Sequence, residues 1–392
     1  MEFRGFQMEL DQTVRASVAY LVHDMDDTAV HRRVDLLLGE GLAVALGGFR
    51  RRASVMDTDI AHRVLDLRRT VDLGRTMDAR LMQRAAAVAR HLLDPAAVRE
   101  LCYGASVIVA RNLEMLVLAW RVRRREQRLV YECLDIHRLM LGGGWKSRML
   151  RWLERWLLAR TDLVIVSSPA FADRYFSKRQ RRSEGVILVE NKVSRSRSSV
   201  PPSPRSSSDA PIVIGWFGML RCRRTFTHLA QLAQRARGRV EVVIAGIASP
   251  AEFPDFEAEV SKIPRMRYLG AYRPEDLADL YTGVDFVWAI DYFEEGMNSE
   301  WLLPNRLYEG LAHGAIPIAL KSVETGRWLA RRDVGLLLDD ADSELPDRLL
   351  GLTADERWRM QLAIAALPDG ALHQALSERR AIAEAILGRV RA

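Results

Sequence analysis

One helix start in the sequence combines basic and acidic residues at a spacing that suits phosphate and sugar binding. Pro304 is predicted to begin the helix, because a proline at the first helical position gives up only an N–H that would lack a partner anyway. Leu303 has no side chain that can cap, so the first-turn N–H groups are predicted to await a ligand. Asn305 and Arg306 are assigned to a phosphate there, and Glu309, one turn on, to a sugar hydroxyl. The alternative is an ordinary helix start on which Arg306 and Glu309 pair with each other.

A second basic cluster follows the apolar stretch 211–218. Gly218 lets the backbone approach a ligand closely, and Arg221 and Arg223, with Arg224 beside them, are predicted to neutralise a pyrophosphate. The alternative is a solvated, basic helix start. The sequence contains no GxGxxG motif, so no dinucleotide cofactor is expected.

Asp135 and His137 lie at and just beyond the end of a stretch, 128–136, that is predicted as a strand, and they are the predicted catalytic residues. Either side chain could act as a general base that removes the proton of a substrate hydroxyl. Glu132 is a third candidate, and Asp135 is favoured because an aspartate stays ionised across the physiological pH range. The alternative is that Asp135 and His137 only cap and orient their loop.

A competing group of bases, His23, Asp24 and Asp26, follows the first apolar stretch. The tripeptides Asp24-Met25-Asp26 and Asp57-Thr58-Asp59 match a short metal-binding pattern that arises often by chance, so no metal is expected. The three cysteines are far apart in sequence, which predicts reduced thiols rather than a metal site. They are Cys102, Cys133 and Cys222.

An acidic loop, DYFEEGMN (291–298), follows another apolar stretch. Ligands of open parallel sheets bind beyond the carboxyl ends of the strands, and polar side chains there suit sugar hydroxyls, so Glu295 and Asn298 are predicted sugar contacts. The alternative is a solvent-exposed lid.

The stretch 145–160 has the pattern of a basic amphipathic helix, which can lie in an anionic membrane interface. The alternative is a helix that packs on the sheet, and both can hold if arginine and tryptophan edges reach lipid. The apolar face comprises Trp145, Met149, Trp152, Leu153 and Trp156, and the basic residues beside it are Lys146, Arg148, Arg151 and Arg155.

Apolar stretches alternate with helical patterns throughout the chain, which predicts an α/β fold with parallel sheets covered on both faces. The predicted strands are 16–22, 42–49, 106–110, 128–136, 162–168 and 185–191, then 211–218, 239–246, 266–270, 284–290 and 315–320, with a helix at 28–41 after the first strand. The Ser/Pro/Arg-rich segment 194–209 cannot build a core and is predicted as a linker. Two doubly wound, Rossmann-like domains facing a central cleft are therefore expected, at 1–193 and 210–392.

The composition excludes some classes of function. Hydrophobic residues make up 48% of the chain and charged residues 28%, as in globular proteins, and no apolar run reaches the length of a membrane span. The first residues lack a secretion signal, so a cytoplasmic location is expected, with contact at the inner face of the cell membrane. The net charge of +7 indicates anionic substrates or an anionic membrane surface. No nucleic-acid-binding motif appears, so no nucleic-acid partner is expected.

The segment after Leu303 resembles the nucleotide-sugar motif of GT-B glycosyltransferases, and most of all the family-four-like enzymes of bacterial exopolysaccharide and envelope glycan synthesis. In that family the basic residue contacts the diphosphate and the glutamate the ribose, which implies these roles for Arg306 and Glu309. Many members carry another glutamate eight residues upstream, where this sequence has Trp301. The matching positions are Pro304, Arg306, Glu309, Leu311, Ala312, Gly314 and Pro317.

The resemblance implies a GT-B fold, with an acceptor-binding first domain and a nucleotide-sugar-binding second domain. It also implies transfer of a sugar from a nucleotide-sugar donor to a hydroxyl of a lipid-linked or other glycan acceptor, without a cofactor or metal. Two alternatives remain open. One is a catalytically silent nucleotide-sugar-binding scaffold of a polysaccharide assembly, and the other is a sugar-nucleotide epimerase of the same fold.

Overall fold

The computed structural model describes residues 17–50, 67–76, 81–193 and 210–389. The predicted linker 194–209 and the tripeptide Asp57-Thr58-Asp59 lie outside these residues. The chain divides into two compact units. The first unit comprises Met1–Glu132, Arg160–Leu163 and Arg379–Ala392, and the second comprises Cys133–Ala159 and Val164–Glu378.

The first sheet has seven strands in the order β3-β2-β1-β4-β5-β6-β7. The strand pairings described within it are parallel. Its strands are β1 (Ser17–Val22), β2 (Ala43–Arg50), β3 (Leu67–Arg75), β4 (Val107–Arg111), β5 (Arg128–Cys133), β6 (Leu163–Val166) and β7 (Val186–Leu188). The helices in this part of the chain are α1 (Thr28–Gly39), α2 (Leu81–Leu93), α3 (Ala96–Leu101), α4 (Leu113–Val122), α5 (Arg138–Leu141) and α6 (Trp145–Leu158), and a π-helical segment covers Phe171–Ser177.

The second sheet has six parallel strands in the order β10-β9-β8-β11-β12-β13. Its strands are β8 (Ile212–Leu220), β9 (Val240–Ala248), β10 (Met266–Tyr268), β11 (Phe286–Trp288), β12 (Ile316–Leu320) and β13 (Leu336–Leu338). The helices that follow residue 210 are α7 (Arg223–Arg235), α8 (Phe256–Ser261), α9 (Leu277–Thr282), α10 (Asn305–Ala312), α11 (Glu324–Ala330), α12 (Ala341–Leu350), α13 (Ala354–Ala365), α14 (Asp369–Leu372) and α15 (Leu376–Leu387), with 3₁₀ turns at Pro274–Asp276 and Asn298–Glu300.

The predicted alternation of strands and helices is confirmed. The apolar strands are buried along their length, as in β6, because helices cover both faces of a parallel sheet. Two edge strands, β3 and β13, were not predicted. In each sheet the strand order reverses beside the strand that comes first in sequence, β1 or β8. Ligands of doubly wound sheets bind at such points. In the described ranges, no helix is long and apolar enough to cross a membrane.

Candidate functional site

The helix α10 begins without a side-chain cap. Pro304 is its N-cap, with φ −71° and ψ 150°, and the helix itself begins at Asn305. The predicted start is therefore one residue too early, because the extended ψ of Pro304 keeps it outside the helix. The predicted lack of a cap is confirmed, since the N-cap residue Pro304 makes no side-chain capping hydrogen bond.

Two polar atoms in the first turn of α10 are buried without a partner. Arg306 donates from Nη2 to the carbonyl oxygen of Ile290 at 3.1 Å, but its Nε has no acceptor. The Oδ1 atom of Asn305 has no donor. Because a buried, unpaired polar group costs about 1–3 kcal/mol, these atoms indicate a place for a ligand that supplies an anionic acceptor and a hydroxyl donor.

Glu309 lies on the buried side of α10, only 5% exposed. Tyr281 donates its hydroxyl hydrogen to Oε2 of Glu309 at 3.0 Å. Burial and the negative charge of Glu309 raise the pKa of Tyr281 well above its usual value, so the tyrosine remains a donor. A ribose hydroxyl would have to share the carboxylate with Tyr281, and the ribose role of Glu309 stays a prediction.

Gly218 has a backbone conformation that glycine adopts easily, with φ +111°. It pairs with Gly246 on β9, where a Cβ would lie 1.8 Å from the carbonyl oxygen of Gly218. The strand continues to Leu220, two residues beyond its predicted end, so Gly218 lies inside β8. The two glycines bring β8 and β9 together immediately before Arg221, whose guanidinium carbon lies 4.3 Å from the ring centroid of Phe293 in the acidic loop.

The next two arginines are occupied by ion pairs. Arg223 pairs with Glu259 on α8, and its guanidinium carbon lies 4.1 Å from the ring centroid of Phe253. Arg224 contacts Glu295 at 2.6 Å and Asp342 at 2.9 Å. These contacts favour the alternative of a basic helix start for Arg223. They also make Glu295 an ion-pair partner, so a sugar contact would compete with Arg224.

The structure brings Asn298 and Asp135 together. Asn298 is 2% exposed, and its Nδ2 donates to Oδ1 of Asp135. Its own Oδ1 accepts from the backbone N–H of Ile136 at 3.2 Å. Asn298 therefore holds the loop of the predicted base at two points, and its own amide is occupied by protein groups. This contact was missed from the sequence, where Asn298 was assigned to the donor sugar.

A second carboxyl group, that of Glu294, lies beside Asp135. Burial, then the negative charge of Asp135, raises the pKa of Glu294 to about 7, although Arg221 and Arg138 act in the opposite direction. The backbone N–H of Glu294 donates to the hydroxyl of Ser299 at 2.9 Å. A carboxyl group that titrates near neutral pH can accept or donate a proton during catalysis.

His137 caps the short helix α5. Its Nδ1 accepts the backbone N–H of Leu139 at 3.2 Å. A neutral imidazole that accepts through Nδ1 carries its proton on Nε2, so it has no second lone pair with which to remove a proton. The observed contact of His137 is therefore the one that the capping alternative predicts. On this geometry Asp135 is the better candidate base.

Glu132 is excluded as a base by its surroundings. It is fully buried, and Arg33 and Arg111 donate to it at 2.8 and 2.9 Å, together with the hydroxyl of Tyr20. Although burial alone would raise it, the two arginines lower the pKa of Glu132 to about 2. It is thus a structural charge within the first unit.

The competing bases after β1 are also engaged. Asn112 Nδ2 lies 3.1 Å from His23 Nδ1, and Asp24 accepts the backbone N–H of Asp26 at 3.1 Å. Across the part of the chain that the structure describes, no three His, Cys, Asp or Glu side chains are grouped so as to hold a metal ion.

Known proteins resemble this chain in sequence and in fold. Residues 14–192 match the glycosyl transferase 4-like domain family. The succinoglycan biosynthesis protein ExoL of Rhizobium meliloti is 45% identical over 343 residues, which are 85% of this chain and 84% of that protein.

Solved structures share the fold, among them HepE and WaaB. HepE of Anabaena in complex with UDP and glucose superposes with a TM-score of 0.69 at 15% identity, over 95% of this chain and 100% of HepE. The lipopolysaccharide outer core galactosyltransferase WaaB superposes with a TM-score of 0.62 at 13% identity, over 95% of this chain and 100% of WaaB. The two parallel sheets are therefore those of a GT-B fold, as predicted. The chain belongs to the family of the succinoglycan biosynthesis protein ExoL, and it is a GT-B glycosyltransferase of the exopolysaccharide-synthesis type.

Proposed function

We propose that this enzyme takes its sugar from a nucleotide-sugar donor whose diphosphate binds at the N-terminus of α10. The observation that carries the proposal is the uncapped first turn, with the Nε of Arg306 and the Oδ1 of Asn305 buried and unpaired. The helix dipole and the guanidinium both favour an anion there. HepE, which has the same fold, was crystallised with UDP and with glucose, which agrees with this class of donor.

The loop 291–298 connects this donor site to the proposed base. Arg306 on α10 donates to the carbonyl of Ile290, immediately before the loop, and Asn298 at its end holds Asp135. In an inverting transfer the acceptor oxygen forms a bond to the anomeric carbon as the bond to the diphosphate oxygen breaks. The diphosphate leaves with the bonding electron pair, and Asp135 takes the proton of the acceptor hydroxyl.

Glu294 lies beside Asp135 and is the second acid–base group of the proposed site. With a pKa of about 7 it can hold a proton at neutral pH. A protonated Glu294 leaves one negative charge on the pair of carboxyl groups, so that Asp135 can remain the proton acceptor. Arg221 supplies a positive charge on the same side and is retained as a donor-phosphate residue.

The proposed acceptor is a lipid-linked glycan at the inner face of the cell membrane. ExoL is described as a succinoglycan biosynthesis protein, and its high identity over most of the chain supports an exopolysaccharide intermediate as the acceptor class. We also propose that transfer needs no metal, because arginine side chains and a helix N-terminus can neutralise the diphosphate.

The experiment that tests this function measures release of nucleoside diphosphate from a panel of UDP- and other nucleotide-sugars, with and without a lipid-linked acceptor extract. Release that depends on the acceptor and persists in EDTA is expected. The Asp135→Asn variant should bind the donor in a thermal-shift assay but release little diphosphate. Binding without release at any acceptor would indicate a scaffold, and turnover without acceptor would indicate an epimerase. Loss of release in EDTA would refute the metal-free step.

A further inference from the structure

The helix α6 presents three large apolar side chains on its outward face. Trp145, Met149 and Trp152 are 64%, 53% and 64% exposed, and their spacing of four and three residues places them on one face. The other two members of the predicted apolar face, Leu153 and Trp156, are half-buried, so only part of that face is exposed. Soluble surfaces seldom expose several large apolar side chains together unless they bind something.

The inward face of α6 combines the buried Leu157 and Leu158 with polar contacts. Glu154 is buried and accepts from the hydroxyl of Tyr175 and from Nε2 of Gln180. Arg151 donates to the carbonyl oxygens of Met140 and Gly142, at 2.7 Å each. A helix rotated to bury its tryptophans would lose these bonds and leave a carboxylate unpaired, so the outward stripe is part of the folded state.

The charges around the stripe have one sign. The exposed positions of α6 besides the apolar stripe are Lys146, Arg148 and Arg155, while its one acidic residue, Glu154, faces inward. Tryptophan prefers the boundary between water and lipid, and basic side chains on either side of it can reach lipid phosphates. The face therefore combines an apolar centre with a basic rim.

We propose that α6 is the element by which this enzyme docks on an anionic lipid bilayer, with Trp145, Met149 and Trp152 inserted at the interface and the basic rim on the headgroups. The proposal deepens the proposed function and rests on it for the lipid-linked acceptor. His137, two residues after Asp135, caps α5, and only Gly142–Gly144 separates α5 from α6. The docking helix α6 therefore begins only ten residues after the proposed base Asp135.

Sedimentation of the full chain with vesicles tests the proposal directly. Binding is expected to phosphatidylcholine vesicles that contain phosphatidylglycerol, to be weak without it, and to fall as salt rises. Replacing Trp145 and Trp152 together by serine should lower the partition coefficient by about tenfold or more. The matched control is Leu376→Ser, which removes an apolar side chain that is 79% exposed on another helix and should change nothing.

The basic rim is tested separately. Lys146→Gln with Arg148→Gln should weaken binding and flatten its salt dependence, whereas Arg348→Gln on α12 should do neither. Equal binding to neutral vesicles, or wild-type binding by the tryptophan variant, would overturn the proposal. Loss of self-association in that variant, without any vesicle binding by the wild type, would show that a second copy covers the face. Calorimetry with UDP separates the two proposals, because the tryptophan variant should keep wild-type donor affinity.

Discussion

The buried side-chain amide of Asn298 donates to the exposed carboxylate of Asp135 and accepts from the next backbone N–H along the chain. One residue at the end of the acidic loop thus orients the proposed base. The geometry of the proposed base therefore depends on a residue 163 positions away in sequence.

Replacing Asn298 should reduce turnover more than donor binding. Asn298→Ala removes both contacts, and a misplacement of the base by about 1 Å can lower the rate by roughly 10²-fold. Asn298→Asp should also raise the pH at which activity develops, since a second carboxylate beside Asp135 favours protonation. Rate–pH profiles of the two variants check this. Unshifted profiles with normal rates would mean that the contact has no catalytic consequence.

Asp135 and His137 should differ in their effect on catalysis. Asp135→Asn should lower turnover by about 10² to 10⁴-fold, the range for loss of a general base. His137→Asn keeps a side chain that can cap α5 and should retain most of the activity. Turnover and UDP affinity are measured for both variants, because a folding defect would lower both quantities and a catalytic defect only the first. If His137→Asn lowers turnover more than Asp135→Asn does, the imidazole of His137 rather than Asp135 is the base.

Arg306 should contribute directly to donor affinity. Arg306→Ala is expected to weaken UDP binding by about 1.5–3 kcal/mol, the range for a hydrogen bond to a charged group. Arg223→Ala is the matched control, because Glu259 already neutralises that guanidinium. Calorimetry should show little change for the control. If the two variants bind UDP equally well, Arg306 does not contact the diphosphate.

Glu294 should make stability depend on pH. Its pKa is 4.5 ordinarily and about 7 in the fold, so between these values the unfolded chain has lost a proton that the folded chain keeps. The free energy of unfolding should therefore fall as pH rises through this window and level off above it. Urea unfolding of Glu294→Gln across the window should lack this component, while Glu295→Gln should retain it. An identical slope in both variants would place the titration elsewhere.

Breaking the buried charge cluster of the first unit should be costly. Glu132→Gln leaves Arg33 buried beside a neutral side chain and leaves Arg111 with Asp27, at 3.3 Å, as its remaining carboxylate partner. Removal of one member of a buried ion pair costs about 3–5 kcal/mol. Glu259→Gln breaks a half-exposed pair with Arg223 and should cost less than about 1 kcal/mol. Equilibrium unfolding in urea measures both. Similar losses in the two variants would show that burial adds little here.

The elements were largely predictable because uninterrupted apolar stretches mark buried parallel strands. The unpredicted strand β3, LRRTVDLGR, has charged residues between its apolar ones, as an edge strand tolerates, and β13 has only three residues. The start of α10 was misplaced by one residue, because local sequence does not specify the ψ of Pro304. Its missing cap was predictable, since neither Leu303 nor Pro304 carries a capping group.

Contacts between distant residues were not predictable from spacing. Nothing local pairs Asn298 with Asp135, or Arg224 with Glu295. The orientation of α6 was left open by the sequence, because an apolar stripe can pack on a sheet or face outward, and the inward position of Glu154 depends on Tyr175 and Gln180. The basic character of that helix, by contrast, was evident from its composition.

The two hydrogen bonds that Asn298 makes to Asp135 and Ile136 also have a consequence for engineering. An exchange of the 291–298 loop with that of a relative, made to alter the choice of sugar, would replace the residue that orients the base at the same time. Grafts that omit an asparagine at the final position should therefore yield enzymes that bind a new donor yet transfer it slowly. A graft that ends at Met297 would separate sugar selection from proton transfer.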